Sequence, residues 1–190
     1  MILSIDTTAG TSAAVFDGGQ LCSLVDFADP FGHAENIGLA ISRAIAEAGA
    51  TQADIGEVIV GRGPASYTGL RVGIAAAKTL ATALAVPLRG VMVLDAIAHG
   101  TSGSVLVTSD AKRRELFGST YREGRRLDGP FLTTLEGIAE YSDFNHIHSA
   151  SNASLNAAFA LASGDDLSLS GAIYLRSPDV TPSKGKRVSG

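Results

Sequence analysis

The N-terminal part of the chain alternates short apolar runs with polar turns that are rich in glycine. Residues 1–5 are apolar apart from Ser4, and a second apolar run occupies residues 12–16. The polar segment 7–11 separates the two runs, and Asp17-Gly18-Gly19 ends the second one. Short strands joined by such turns are typical of an antiparallel meander. The pattern therefore predicts three strands, the third near residues 20–27.

A helical spacing of apolar residues begins at His33. Between residues 33 and 48 the apolar positions recur three and four residues apart, at Ile37, Ala40, Ile41, Ala44, Ile45 and Ala48. This spacing predicts an amphipathic helix with one buried stripe. Gly49 then supplies the residue type that commonly follows the end of a helix.

A second helix, predicted over residues 66–85, is apolar almost all round. Its only charged residues are Arg71 and Lys78, and Gly69, Gly73 and Ala77 form a stripe of small residues four apart. Such a helix has to be covered on more than one side. Either a partner protein covers the stripe, or the helix is buried between its own sheet and a neighbouring helix. The first explanation predicts that Gly73→Leu abolishes pairing and leaves the fold intact.

The second half of the chain repeats the opening of the first. Residues 105–110 echo residues 2–6 as an apolar run that ends in aspartate, which suggests an internal duplication. The small, polar segment 100–104 predicts a domain boundary. Strands are also predicted at 58–60, 87–93, 115–121 and 145–148, helices at 94–99, 134–140 and 154–162, and a turn at 128–130.

Composition and charge narrow the classes of protein to be considered. Charged residues make up 18% of the 190 residues, apolar residues 45%, and the formal net charge is −4. No segment reaches the ~20 apolar residues of a membrane span. The single Cys22 forms no internal disulfide, so a reducing cytoplasm is expected. The acidic balance is not that of an autonomous nucleic-acid binder. Residues 176–190 form a basic tail, for which a solvated end is the simplest explanation.

Polar residues at the ends of the two echoing runs are candidates for nucleotide binding. Asp6 is followed by Thr7 and Thr8, whose hydroxyl and N–H groups suit a phosphate. Asp110 ends the corresponding run of the second half and suits Mg²⁺ held through water. The alternative is a pair of ordinary turns in which these side chains bond to their own backbone.

A glycine-rich loop runs into the second predicted helix. Its distinctive residues are Gly61, Arg62, Gly63, Pro64, Ser66, Thr68 and Arg71. Because a helix start attracts anions, a bound phosphate or carboxylate is one interpretation. The other is a tight strand–helix joint in which Ser66 or Thr68 caps the helix. The Gly-Lys-Ser/Thr ending of a P-loop is absent.

Metal ligands and catalytic nucleophiles have little support in the sequence. His33 opens the first helix, but Ile37 stands four residues later, so no histidine pair shares that helix face. His146 and His148 share one face of a predicted strand without an evident third ligand. No Gly-x-Ser-x-Gly pattern is present. We therefore predict neither a metal nor a cofactor.

The segment Gly61-Arg-Gly-Pro-Ala-Ser-Tyr-Thr-Gly-Leu-Arg-Val-Gly-Ile74 closely resembles the GRGPGSFTGxRxG motif of the bacterial TsaB (YeaZ) family of tRNA threonylcarbamoyladenosine synthesis. The resemblance extends to the opening Ile-Leu-Ser-Ile-Asp-Thr-Thr, to His33, to Asp110-Ala-Lys with the glutamate that follows, and to Tyr174-Leu-Arg. It is strong over residues 1–125 and thin over 126–172, where this chain is shorter than most members.

This resemblance implies an α/β fold of the actin-like ATPase (ASKHA) type, with two related lobes that each hold a mixed sheet flanked by helices. The first lobe would be residues 1–100, and the second, shortened lobe residues 101–190 with the basic tail. The implied role is a non-catalytic subunit that binds the paralogue TsaD, which transfers threonylcarbamoyl to N6 of the adenosine next to the anticodon. TsaE and, for the chain alone, a second copy are further implied partners. The resemblance implies that tRNA is reached only through the complex and that no membrane is involved.

The family pairs through the first two long helices of the first lobe. The residues that the resemblance assigns to this interface are His33, Ile37, Ile41, Ile45, Tyr67, Gly69, Leu70, Gly73 and Ala77. A nucleotide cleft at Asp6, Thr7, Thr8 and Asp110 is expected to be vestigial, because no glycine follows the Asp6 step and no Gly-Gly adenosine loop is found. The alternative is an autonomous actin-like phosphotransferase or nucleotide hydrolase that uses these residues.

Overall fold

The described strands form two sheets, the first built mainly from residues 2–91 and the second from residues 104–149. The structure is a computed structural model that describes residues 1–29, 31–149, 165–166 and 171–175. The helix predicted at 154–162 and the basic tail lie outside the described residues.

The first sheet begins with the predicted meander, which is confirmed. Three antiparallel strands pair in the order in which they follow along the chain: β1 (Ile2–Asp6), β2 (Thr11–Asp17) and β3 (Gln20–Phe27). Strands β4 (Glu57–Gly61) and β5 (Leu88–Val91) then extend the sheet in parallel on the other side of β1. The two central strands are apolar and fully buried over most of their length, as strands covered on both faces are.

Both long helices occur where the apolar spacing predicts them. Helix α1 spans His33–Glu47 and helix α2 spans Tyr67–Leu84, while the short helix α3 covers Val93–Ala98. Helix α1 packs on β2 and β3, α2 packs on β4, and the two helices contact each other. Their buried sides form one core with the sheet, which includes Leu3, Ile5, Val15, Ala40, Ala44, Val58, Val60, Ala77 and Ala81.

The small-residue stripe of α2 faces the interior of its own lobe, so its interpretation as a surface for a partner is wrong. Gly69, Gly73 and Ala77 are buried. A Cβ atom on Gly69 would lie 2.7 Å from Nε2 of His33, and one on Gly73 would collide with the Thr7 hydroxyl. The small residues let α2 approach α1 and the β1–β2 turn closely. The alternative explanation, a helix buried between its sheet and a neighbouring helix, is the one the structure supports.

The second sheet repeats the connectivity of the first. Strands β6 (Ser104–Asp110), β7 (Glu115–Arg122) and β8 (Arg125–Thr134) form another antiparallel meander, and β9 (Asn145–Ser149) pairs with β6 in parallel. The order β8-β7-β6-β9 corresponds to β3-β2-β1-β4 in the first sheet. This duplicated arrangement is that of the actin-like ATPase fold, as the resemblance implied.

Two predictions in the second lobe are wrong. The turn expected at 128–130 is an uninterrupted part of β8, where Gly129 has φ +103° and the neighbouring β7 shifts register between Gly118 and Thr120. Because β8 is an edge strand beside a bulge, it tolerates Pro130. The helix expected at 134–140 is a short 3₁₀ helix at Gly137–Tyr141, because the edge strand continues to Thr134.

The described C-terminal residues return to the first lobe. Strand β10 (Asp165–Asp166) pairs antiparallel with β5, and the N–H of Ile173 donates to the Arg62 carbonyl at 2.7 Å. Residues 165–166 therefore pair with the first sheet, whereas Ile173 and Leu175 also pack against the core that contains Val105 and Phe117 of the second sheet. The division into domains at 100–104 stays a prediction. None of the helices among the described residues is long and apolar enough to cross a membrane.

Candidate functional site

Asp6 stands at the end of β1 and is completely buried. The Thr8 N–H donates to Oδ1 at 3.2 Å, and the Thr8 hydroxyl donates to Oδ2 at 2.8 Å. Burial raises the pKa of the Asp6 carboxyl to about 7, although the hydrogen bonds from Thr8 act in the opposite direction. Asp6 is thus the acceptor of a local turn that is sealed from solvent, which favours the second of the two sequence interpretations.

We expect stability to fall as the pH rises through the range in which Asp6 is protonated only in the folded state. The folded carboxyl has a pKa of about 7 against 3.8 for an ordinary aspartate, so the folded chain holds more protons between these pH values. The free energy of unfolding should fall by on the order of 1.4 kcal/mol per pH unit, and this contribution of Asp6 is fully lost above about pH 7. Urea unfolding at pH 5, 6, 7 and 8 measures it. Asp6→Asn should remove this contribution, and an unchanged slope in that variant would contradict the assignment.

The turn that follows Asp6 is covered by the starts of both long helices. Thr7 is fully buried, and its hydroxyl has no hydrogen-bond partner among the described residues. His33, which opens α1, places Nδ1 3.2 Å from the Thr11 hydroxyl. The Thr7 carbonyl and the His33 ring both pack against the backbone of α2 at Gly69. The residues expected to cradle a phosphate are therefore brought together, but beneath a helix.

Asp110 occupies the equivalent strand end in the second sheet and is exposed. Lys112 donates to it twice, from the backbone N–H at 2.7 Å and from Nζ at 2.8 Å. Partial burial raises the pKa of the Asp110 carboxyl, but the hydrogen bonds and charge of Lys112 outweigh this and hold the pKa below its usual value. Asp110 is ionised and bound within its own hairpin.

The glycine-rich loop is hydrogen-bonded to the start of α3 and to the C-terminal residues 171–173. The Arg62 carbonyl accepts from Ile173, the Gly63 carbonyl accepts from the Val93 N–H at 2.9 Å, and an Arg62 guanidinium N–H donates to the Gly171 carbonyl at 3.4 Å. Gly63 has φ +96°, and a Cβ there would lie 2.8 Å from the Ile173 carbonyl oxygen. Ser66 takes the N-cap position of α2 without a side-chain capping bond. The loop therefore connects β4 to α2 and holds the C-terminal segment by hydrogen bonds.

Aromatic and cationic side chains meet where this joint enters α2. The rings of Tyr67 and Tyr174 have centroids 5.0 Å apart, and the guanidinium carbon of Arg71 lies 4.6 Å from the centroid of Tyr67. Tyr174 is 38% exposed, and Arg71 is exposed.

Comparisons with known proteins identify the family. A family model described as TsaD, tRNA N6-adenosine threonylcarbamoyltransferase, matches residues 31–173. The chain belongs to this family, on its TsaB (YeaZ) branch. It is 32% identical over 127 residues to the tRNA threonylcarbamoyladenosine biosynthesis protein TsaB of Escherichia coli, covering 64% of this chain and 54% of that protein.

The chain is also similar in sequence to one further protein and in fold to one solved structure. An uncharacterized protein of Mycobacterium leprae is 34% identical over 202 residues, which cover 96% of this chain and 56% of the relative. YeaZ from Pseudomonas aeruginosa shares the fold, with a TM-score of 0.67 at 20% identity over 92% of this chain and 99% of that one. The chain spans just over half the length of the two curated relatives.

Most residues assigned to a TsaB-type pairing surface are not available for it. His33, Ile45, Gly69, Leu70, Gly73 and Ala77 are buried within the lobe. Ile37, Ile41 and Tyr67 are partly exposed. The correction has a simple cause, because the apolar stripe of an amphipathic helix faces its own sheet first.

The sides of the same two helices that are not fully buried carry small and apolar residues, of which the sequence reasoning named only Ile37 and Ile41. On α1, the residues Ala34, Ile37, Gly38 and Ile41 stand at helical spacing and are exposed or partly exposed; on α2, so are Val72, Ala75, Ala76, Thr79 and Ala83. Phe31, just before α1, is 90% exposed. We call these ten residues the outer face. A second, weaker apolar periodicity beside the buried stripe was the signal that could have revealed them.

The histidine pair of the second lobe has its own partner. The Thr108 hydroxyl lies 2.8 Å from Nε2 of His146 and 2.9 Å from Nδ1 of His148. Since a hydroxyl has one proton, one of the imidazoles must donate to it. Partial burial, together with the neighbouring His148, lowers the pKa of His146. Within the described part of the chain, no three side chains are grouped as metal ligands.

Proposed function

We propose that this protein is an assembly subunit in the synthesis of threonylcarbamoyladenosine in tRNA. It acts by binding a catalytic TsaD-type transferase rather than by catalysing the transfer. The observation that carries the proposal is the outer face, because the two helices that pack together on the first sheet still present apolar and small side chains to solvent. Membership of the TsaB branch supports the choice of pathway, since the Escherichia coli relative is named for this biosynthesis.

The outer face has the features of a close helix–helix interface. A Cβ built on Gly38 meets nothing within 4 Å, so a partner helix has room to approach the backbone of α1 there. Phe31, with nine-tenths of its surface exposed, is the kind of aromatic anchor that dominates binding energy when a pocket receives it. Specific interfaces bury about 1,600 Å² in total, an area on the scale of two adjacent helices.

The chemistry at Asp6 supports a subunit that is not itself a phosphotransferase. A catalytic carboxylate for nucleotide chemistry has to be ionised and able to reach the metal or its water. Asp6 is fully buried, is held by Thr8, and is half protonated near neutral pH because its pKa is about 7. Asp110 is bound to Lys112. Neither carboxyl is prepared to hold Mg²⁺.

The same proposal extends to the remaining partners. The ATPase TsaE would join the complex of the two paralogues, and the chain alone would pair with a second copy through the outer face. Transfer RNA would be met within the complex, in the cytoplasm. The shared outer face makes the homodimer and the heterodimer mutually exclusive, so the transferase should dissociate the homodimer.

Calorimetric titration of the isolated chain separates the two functional hypotheses. We expect the chain to bind the TsaD-type transferase of the same organism, with one copy of each chain in the complex. We expect no heat of binding from Mg-ATP at about 1 mM, the upper end of ordinary substrate levels. An adenylate kinase titrated in the same way serves as the positive control for nucleotide binding. Micromolar binding of Mg-ATP with turnover, and no binding of the transferase, would establish the autonomous phosphotransferase instead.

A further inference from the structure

One side of α2 carries aromatic and cationic side chains that the proposed pairing does not use. Tyr67, Arg71 and Lys78 stand at positions i, i+4 and i+11, which places them on one side of the helix. The outer-face positions of α2, such as Thr79 and Ala83, fall on another side. Tyr174 extends this side from the C-terminal segment, with its ring centroid 5.0 Å from that of Tyr67.

The position of Tyr174 is fixed by the backbone and not only by its ring. The residue before it, Ile173, donates its N–H to the Arg62 carbonyl, and Gly171 accepts from the Arg62 guanidinium. The Tyr67 and Tyr174 rings are tilted by 41° to each other, and Arg71 covers Tyr67. The pair is therefore held in place while Tyr174 and Arg71 remain open to solvent.

The local charge on this side is positive although the chain as a whole is acidic. Helix α2 contains no Asp or Glu. Among the described residues, the ion pairs involve other side chains, and neither Arg71 nor Lys78 takes part in one. Farther along the helix, Lys78 borders an open cavity of about 700 Å³ whose other cation, Arg89, is paired with Glu57 at 3.0 Å.

The sequence that follows Tyr174 is also basic. Residues 176–190 contain Arg176, Lys184, Lys186 and Arg187 against Asp179 alone, in a chain whose net charge is −4. Along the chain, the basic tail begins two residues after Tyr174.

We propose that Tyr67, Arg71, Lys78 and Tyr174, which we call the α2 platform, bind single-stranded RNA. Exposed aromatic rings bind unpaired bases by stacking, arginine stacks in the same way, and cations along the path contact the phosphates. The helix rises about 17 Å between Tyr67 and Lys78, a length that accommodates several nucleotides. The choice of RNA rests on the proposed function, because the pathway acts on an adenosine beside the anticodon.

Fluorescence anisotropy with a labelled, unstructured 12-nucleotide RNA and the full 190-residue chain tests the platform. We expect saturable binding at low salt that weakens as salt is added. Tyr174→Ala and Arg71→Gln should each weaken binding about tenfold, and Tyr174→Phe should not, because stacking needs the ring and not the hydroxyl. Arg71→Gln should also reduce the slope of log K against log salt by about 0.7, the contribution of one phosphate contact on a single strand.

A matched control exists on the neighbouring helix. Arg43 of α1 is exposed and lies over the Phe27 ring at 5.9 Å, so Arg43→Gln removes the same charge from the same kind of cation–aromatic pair. Equal losses for Arg43→Gln and Arg71→Gln would overturn the proposal. So would the absence of saturable binding, or equally tight binding of polyglutamate, which would identify a surface for acidic proteins. Circular dichroism confirms that each variant is folded.

This experiment is independent of the pairing experiment. It uses the isolated chain without any transferase, so failure to bind RNA leaves the transferase titration unaffected. Loss of transferase binding with RNA binding intact would overturn the assembly role alone.

Discussion

Gly73→Leu is expected to destabilise the first lobe strongly rather than to disrupt a protein–protein contact selectively. A Cβ at position 73 would collide with the Thr7 hydroxyl and would lie 3.1 Å and 3.2 Å from Cγ2 and Cβ of the same residue. Rotation of the hydroxyl cannot relieve this contact, because the Cβ of Thr7 is also too close and Thr7 is fully buried. The larger leucine side chain has no adjacent space, so α2 must move away from the sheet.

We expect the free energy of unfolding of this variant to be lower by about 3 kcal/mol or more, at the upper end of the destabilisation that overpacking causes. That is a fall in Tm of roughly 10 °C for a chain of this size. Thermal unfolding followed by circular dichroism measures it. Gly38→Ala is the matched control in α1, where nothing lies within 4 Å of the added Cβ, and it should stabilise the protein by up to about 1 kcal/mol. A Gly73→Leu protein with unchanged Tm would show that α2 is not seated as described.

The local elements were predictable because their causes are local. Apolar alternation and glycine turns predicted the meander, and the spacing from Ile37 to Ala48 predicted α1 to within one residue of its end at Glu47. The repeated strand–aspartate opening predicted two related lobes, which the strand orders of the two sheets now display. These patterns depend on residues that are neighbours in sequence.

What failed in the prediction depends on contacts between distant parts of the chain. Nothing near Gly73 in sequence indicates that Thr7 lies above it, so the small-residue stripe could not be assigned to the core or to a surface. Likewise, Asp128-Gly129-Pro130 has the composition of a turn, and only its position on an edge strand beside a bulge makes it part of β8.

The difference between local patterns and contacts of distant residues also explains what could be predicted about the glycine-rich loop. Its family motif and a strand–helix joint were both predicted from the sequence, but its hydrogen bonds to the C-terminal residues Gly171 and Ile173 were not. Gly63 has to be glycine because the C-terminal Ile173 carbonyl oxygen would be 2.8 Å from a Cβ there. A segment 110 residues away in the sequence thus determines one position of the motif, a relation that no local pattern contains.

Gly38→Arg is expected to weaken binding to the TsaD-type transferase by about 100-fold, equivalent to about 2.7 kcal/mol. Gly38 lies at the centre of the α1 part of the outer face, where the backbone is open and a partner helix can approach closely. An arginine fills that space and brings a charge that has to be desolvated on binding. The substitution should not harm the fold, because arginine favours a helix more than glycine does. Phe31→Ala, which removes the exposed anchor, should weaken binding at least tenfold.

The control is Ala53→Arg, which adds the same side chain at an exposed position in the 3₁₀ helix Gln52–Asp54, outside α1 and α2. It should leave transferase binding unchanged. Calorimetric titration of each variant measures the effect, and thermal unfolding checks that both arginine variants remain folded. If Gly38→Arg and Phe31→Ala bind the transferase as the natural chain does, the outer face is not the pairing surface. Light scattering could show that a variant has lost the homodimer while calorimetry shows that it still binds the transferase. The two assemblies would then use different surfaces, and the transferase should not dissociate the homodimer of the natural chain.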